Sequence, residues 1–98
     1  MSVFTLGIWT VKGGREDDFV RAWRDLAERT KEDFRDATAT LLHDREQRNR
    51  FISFGPWESL DQIEQWRNSQ TFTEGVGKIR ELLDDFAPYT LDVAAEIR

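Results

Sequence analysis

With 98 residues, a net charge of −5 and a pI near 4.8, the chain is sized for one domain over residues 1–98 and carries no basic surface for nucleic acid. It has no cysteine, which excludes disulfides and thiolate metal sites, and it has no apolar run near membrane-spanning length. A cytoplasmic, non-membrane protein is the default reading, with 12% aromatic residues as a large apolar payload.

Val3 to Val11 reads as a strand, β-branched and aromatic, closed by Lys12-Gly13-Gly14. Phe4, Leu6 and Ile8 share one face; Val3, Thr5, Gly7, Trp9 and Val11 share the other. Arg15 to about Asp33 reads as a helix, with Glu16, Asp17 and Asp18 in its first turn, where carboxylates suit the macrodipole. Phe19, Ala22, Trp23, Leu26, Ala27 and Thr30 form its apolar stripe. Ala37 to about Asp44 and Arg50 to Trp57 read as two further strands, joined by a polar hairpin. Ser59 with Gln62 matches a capping box that opens the next helix. Asn68 to Thr71 looks like a break, and the stripe Phe72, Val76, Ile79, Leu82, Leu83 and Phe86 continues in a second piece. Gly75 and Gly77 mark either a loosened turn or a close approach of backbone to a ligand. Pro88 is expected to stop that helix, and Tyr89 to Ile97 to form the last strand, with Asp84 and Asp85 solvated at the helix end.

The order βαββαβ, with the second helix split, predicts a ferredoxin-like α+β fold. Strands one and three, apolar on both faces, are expected at the centre. Helices cover only one face of such a sheet. The face with Phe4, Leu6 and Ile8 is expected to meet them and to line any pocket. The face with Trp9, Val11, Phe51 and Trp57 is then expected to meet a second copy of the chain, because it would otherwise leave a large apolar patch in water.

The run Trp57-Glu-Ser-Leu-Asp-Gln-Ile-Glu-Gln-Trp66-Arg-Asn-Ser-Gln-Thr-Phe72 resembles the antibiotic biosynthesis monooxygenase family. That resemblance implies a dimeric α+β barrel. It also implies oxygenation of electron-rich aromatic compounds by dioxygen without flavin, haem or metal, in a pocket between sheet and helices. Haem-degrading relatives would place a ligand histidine where this chain has Val76, and an asparagine on the first strand where it has Leu6 and Ile8. Both departures speak against haem.

Trp66 matches the family's pocket tryptophan, and it equally continues the core stripe of Leu60 and Ile63. His43 is the sole histidine, the residue type whose unperturbed pKa lies near neutrality, yet its place beside Asp44 and Arg45 favours an exposed or capping role. Trp66 and His43 are therefore the candidates for chemistry. Leu6, Ile8, Phe19, Trp23, Phe72 and Val76 are the candidates for substrate binding. Other polar groups available to a pocket are Thr10, Thr38, Thr40 and Ser53, and Asn68 is more in keeping with a helix end. One histidine and no cysteine make no metal site, and Gly13-Gly14 lacks the spacing of a nucleotide loop. The expected protein is a cofactor-independent, monooxygenase-like homodimer that takes a small aromatic or quinoid molecule and dioxygen. A non-catalytic small-ligand binder, or an isomerase or lyase on the same barrel, are the alternatives.

Overall fold

The computed structural model describes residues 3–98, so positions 1 and 2 of the expected domain lie outside the described residues. Alternating β-branched and aromatic residues build the centre of the sheet. Strand β1 (Val3–Val11) pairs antiparallel with β3 (Arg50–Trp57), from Val3 opposite Trp57 to Thr10 opposite Arg50. Strand β2 (Thr40–His43) adds to the outer side of β3, and β4 (Leu83–Asp92) to the outer side of β1. The resulting order is β2-β3-β1-β4, a ferredoxin-like α+β sheet with the two doubly apolar strands at its centre. At the β2–β3 hairpin, Asp44 accepts from the backbone N–H groups of Glu46 and Gln47. Those two bonds, then the Arg50 guanidinium, hold its carboxyl below the usual carboxylate range.

Helix α1 (Glu16–Asp33) starts after a turn in which Gly14 takes a φ of 87°, a region that favours glycine. The Glu16 carboxylate turns back to accept from the Gly14 N–H at 3.0 Å. Helix α2 (Leu60–Arg67) is capped by Ser59, whose Oγ accepts from the Gln62 N–H at 3.1 Å. The Gln62 side chain returns to the N–H of Glu58, closing the box one residue earlier than the usual pattern. Ser69 then makes the break. Its Oγ accepts from the Phe72 N–H to start α3 (Gln70–Arg80), and its O–H donates to the Trp66 carbonyl at the end of α2. Asn68 is the exposed C-cap of α2.

All three helices lie on one face of the sheet. Trp9, Val11, Phe19, Leu26, Phe51, Val76, Ile79 and Leu82 form the core beneath them. At roughly 1.5–3 kcal/mol per large side chain, this cluster is the main stabilising term of the fold. None of the helices is long and apolar enough to cross a membrane, among the described residues.

Three expectations are corrected. The second half of the split helix ends at Arg80 rather than running to Pro88, and the last strand is Leu83–Asp92 rather than Tyr89 to Ile97. Pro88 sits inside β4 opposite Gly7, which an edge strand tolerates because one side of its ladder is unpaired. Asp84 and Asp85 are consequently strand residues at a register shift between Thr10 and Val11. The larger correction concerns the faces. Trp9, Val11, Phe51 and Trp57 are 4%, 0%, 2% and 7% exposed within the single chain. They pack under the helices, while Phe4 and Ile8 lie on the uncovered face. Alternation separates the two faces of a strand but does not say which one a helix will cover.

Candidate functional site

The helix-facing side of the sheet alternates large rings with very small residues. Along β1 and β3, Trp9 lies opposite Phe51, Gly7 opposite Ser53 and Thr5 opposite Gly55. On the other flank, Phe86, Pro88 and Thr90 of β4 complete the same face. Helices resting on the rings leave a hollow above the small residues, and the backbone of Gly7 forms part of its floor where neighbouring side chains crowd in. A Cβ there would stand 3.0 Å from the indole nitrogen of Trp9 and 3.1 Å from both Phe86 and Ser53 Oγ.

The hollow is a cavity of about 80 Å³. Thr5, Gly7, Trp9, Ser53, Trp57 and Phe86 line it from the sheet. Trp23, Leu26 and Thr30 of α1, with Trp66, Arg67 and Phe72 from α2 and α3, close it from above. Its walls are connected aromatic pairs. Trp66 packs on Trp57 with ring centroids 4.9 Å apart and meets Phe72 edge-on at 4.6 Å, while Trp9 stacks on Phe86 at 4.0 Å.

Each of three indole N–H groups is paired with a hydroxyl. Trp9 donates to Ser53 Oγ at 2.9 Å, Trp57 to Thr5 Oγ1 at 3.1 Å and Trp66 to Thr30 Oγ1 at 3.0 Å. A buried indole left without an acceptor would lose its hydration with no return, so these hydroxyls are what allow the tryptophans to pack inward. Arg67 is the one ionisable residue of the lining. Its Nη1 donates to Thr90 Oγ1 at 2.9 Å, and none of the ion pairs among the described residues includes it.

Of the residues expected at a site, the structure brings Trp66, Trp23 and Phe72 together around the cavity. Leu6, with its cross-strand partner Phe54, stands at the sheet-side boundary although both belong to the opposite alternation. Ile8 is on the uncovered face opposite Ile52 and does not border the cavity. Phe19 is fully buried one layer away, between Trp9 and Phe51. Val76 is 4% exposed in the core beside Ile79 and also stands off the cavity.

His43 lies on edge strand β2 with its ring stacked on Phe51 at 4.2 Å. Its Nε2 donates to the Arg48 carbonyl at 2.6 Å, closing the hairpin well away from the cavity lining. Thr38 and Ser53 line the cavity; Thr10 and Thr40 pair on the other face. Gly75 approaches no ligand site: a Cβ on it would lie 2.6 Å from Leu26 Cδ1, so it is where α3 closes on α1. No group of three or more metal-ligating side chains occurs among the described residues.

Thr5, Thr30 and Arg67 are cavity residues that sequence reasoning passed over. Thr5 and Ser53 fall on the same alternation as Trp9 and Trp57, and buried indoles need acceptors. That coincidence was the available signal for the buried face.

The sequence model of one family, described as antibiotic biosynthesis monooxygenase, matches residues 3–78. No curated protein sequence matches the chain. Among solved structures, a variant of SnoaB, a cofactor-independent oxygenase from Streptomyces nogalater, superposes with a TM-score of 0.86 at 16% identity, covering 98% of this chain and 96% of that one. A structure described as an antibiotic biosynthesis monooxygenase gives 0.81 at 17% identity, over 95% of this chain and 99% of the other. A conserved protein from Methanosarcina mazei Go1 gives 0.82 at 16% identity, over 92% and 90%. At these identities the likeness is one of fold.

Proposed function

Since the chain belongs to the antibiotic biosynthesis monooxygenase family, we propose that its helix–sheet cavity takes a small aromatic or quinoid compound and directs that compound's reaction with dioxygen without a cofactor. The observation that carries this reading is the lining itself: Trp9, Trp57, Trp66 and Phe72 wall a largely apolar space, with hydroxyls that accept the indole N–H groups set between the rings. The fold shared with a described cofactor-independent oxygenase supports it. In the simplest balanced form, an activated ring methylene becomes a carbonyl. One oxygen atom of dioxygen enters the product and the other leaves as water, with the substrate supplying both the electrons and the protons. The protein excludes water and holds the developing oxyanion against its O–H groups.

The cavity also limits the mechanism. Arg67 offers hydrogen-bond donors and no acceptor, and the rest of the lining carries no ionisable side chain. With no base in reach, substrate must lose its proton before or on entry. That same feature favours a second reading, a binder that performs no chemistry. An isomerase or lyase, which requires a positioned base, fits this lining least well.

Size matters as well. A dry cavity of about 150 Å³ admits benzene, so one of about 80 Å³ accepts a ring only when side chains at its edge yield.

The uncovered sheet face, with Phe4, Ile8 and Ile52 half-buried and Leu42, Tyr89 and Leu91 exposed, is the surface on which a second copy would pack. The activity is tested by dioxygen consumption against a panel of hydroxylated naphthalenes and anthrones. Uptake with at least one compound, falling about tenfold or more in Trp66→Phe, is the expected result. A flat response across the panel, with ligand binding retained, assigns the binder.

A further inference from the structure

Arg67 is an unneutralised cation on the wall of a cavity in a chain that carries 19 carboxylate side chains against 14 Lys and Arg. It occupies the last turn of α2, where the helix macrodipole favours a cation. The dipole explains an arginine at that position. It does not explain why the side chain runs along the cavity to Thr90 of β4, where its hydrogen bond lies at the exposed edge. One of its five N–H donors meets Thr90, and a threonine hydroxyl leaves the charge unbalanced.

The interior has the same polarity. Ser53, Thr5 and Thr30 each accept an indole N–H, and none of them donates within the hydrogen bonds of the described residues. Their O–H groups are the polar contacts left for a ligand.

We infer that the cavity selects a planar aromatic ligand bearing an anionic oxygen group, a carboxylate or an ionised phenol, with Arg67 reading the charge. The rings of Trp57, Trp66 and Phe72 take the flat body, and the guanidinium meets the oxygens at its edge. Planar bidentate recognition of an oxyanion is the task for which arginine geometry is suited. This inference rests on the aromatic-ligand reading of the cavity and adds a charge requirement to it.

The test uses the intact chain, 15N-labelled, with the tryptophan indole N–H resonances as reporters. It is titrated in parallel with 2-naphthoate and 2-naphthamide, which share shape and differ in charge. Wild type is expected to bind the carboxylate roughly tenfold or more tightly than the amide, the range for a hydrogen bond to a charged group. Arg67→Gln, which keeps a donor for Thr90, is expected to bring the two affinities close to equal, with most of the loss on the carboxylate. Arg67→Lys is expected to retain part of the difference. Unaltered indole spectra without ligand confirm that each variant is folded. Equal affinities in wild type, or a preference that survives in Arg67→Gln, would overturn the inference and leave the aromatic cavity standing. If neither compound moves any indole resonance, the aromatic-ligand reading falls, and the charge requirement with it.

Discussion

Thr30 is the buried polar residue of the core, 6% exposed, and it spends its hydroxyl on the indole of Trp66. A threonine late in an apolar helical stripe looks like a weak core residue; the structure makes it the acceptor that lets a tryptophan point inward. Thr30→Val keeps the shape and removes the acceptor, stranding a buried N–H at a cost of about 1–3 kcal/mol. Trp66→Phe alone removes the donor and some packing. The double variant should be less destabilised than the two single costs summed, because the second change removes a bond already broken. Urea unfolding of the four proteins measures this, and strict additivity would show that the two side chains do not depend on each other. At this scale spacing placed Trp23 and Phe72 on buried helix stripes, while the resemblance to the family singled out Trp66 as a pocket residue. Thr5 and Arg67 were not legible, since a short hydroxyl on a strand and an arginine at a helix end have commoner explanations on the surface.

The helices were read well where capping chemistry is written locally. Ser59 with Gln62 marks one start, and the break expected over Asn68 to Thr71 is confined to Asn68 and Ser69, with Gln70 and Thr71 already in α3. The end of α3 was misread because Ile79, Leu82, Leu83 and Phe86 keep helical spacing across a true boundary. Helical and strand periodicities overlap in short apolar runs, and only the pairing of Leu83 with Val11 separates them. The two glycines of α3 have opposite surroundings. Gly77 is exposed with nothing near its missing Cβ, so Gly77→Ala should raise stability by about 0.5–1 kcal/mol through helix propensity. Gly75 faces buried Leu26, so Gly75→Val should lower stability by about 1–3 kcal/mol through overpacking of α3 against α1. Thermal unfolding of both variants checks the pair, and equal effects would mean that α3 does not close on α1 as described.

For the molecule as a whole, the outcome turns on which face of one sheet the helices cover. Both faces of β1 and β3 are apolar, so composition could not choose between them. The face carrying Trp9 and Trp57 also carries Gly7, Gly55, Thr5 and Ser53, the small and hydroxylated residues that a cavity beneath helices requires. The face with Ile8 and Ile52 carries Thr10 and Thr40 but no glycine, and its Phe4, Ile8 and Ile52 suit broad contact with another sheet. Ile8→Asp should therefore convert a proposed dimer to monomer in analytical ultracentrifugation while the cavity tryptophans keep their spectra. A dimer unaffected by this change would place the interface elsewhere. The most direct test of the division of labour is a crystal structure with 2-naphthoate bound. The account predicts the ring between Trp9, Trp57, Trp66 and Phe72, beneath α1 and α2. A ring lying instead on the Phe4, Ile8 and Ile52 face would contradict it.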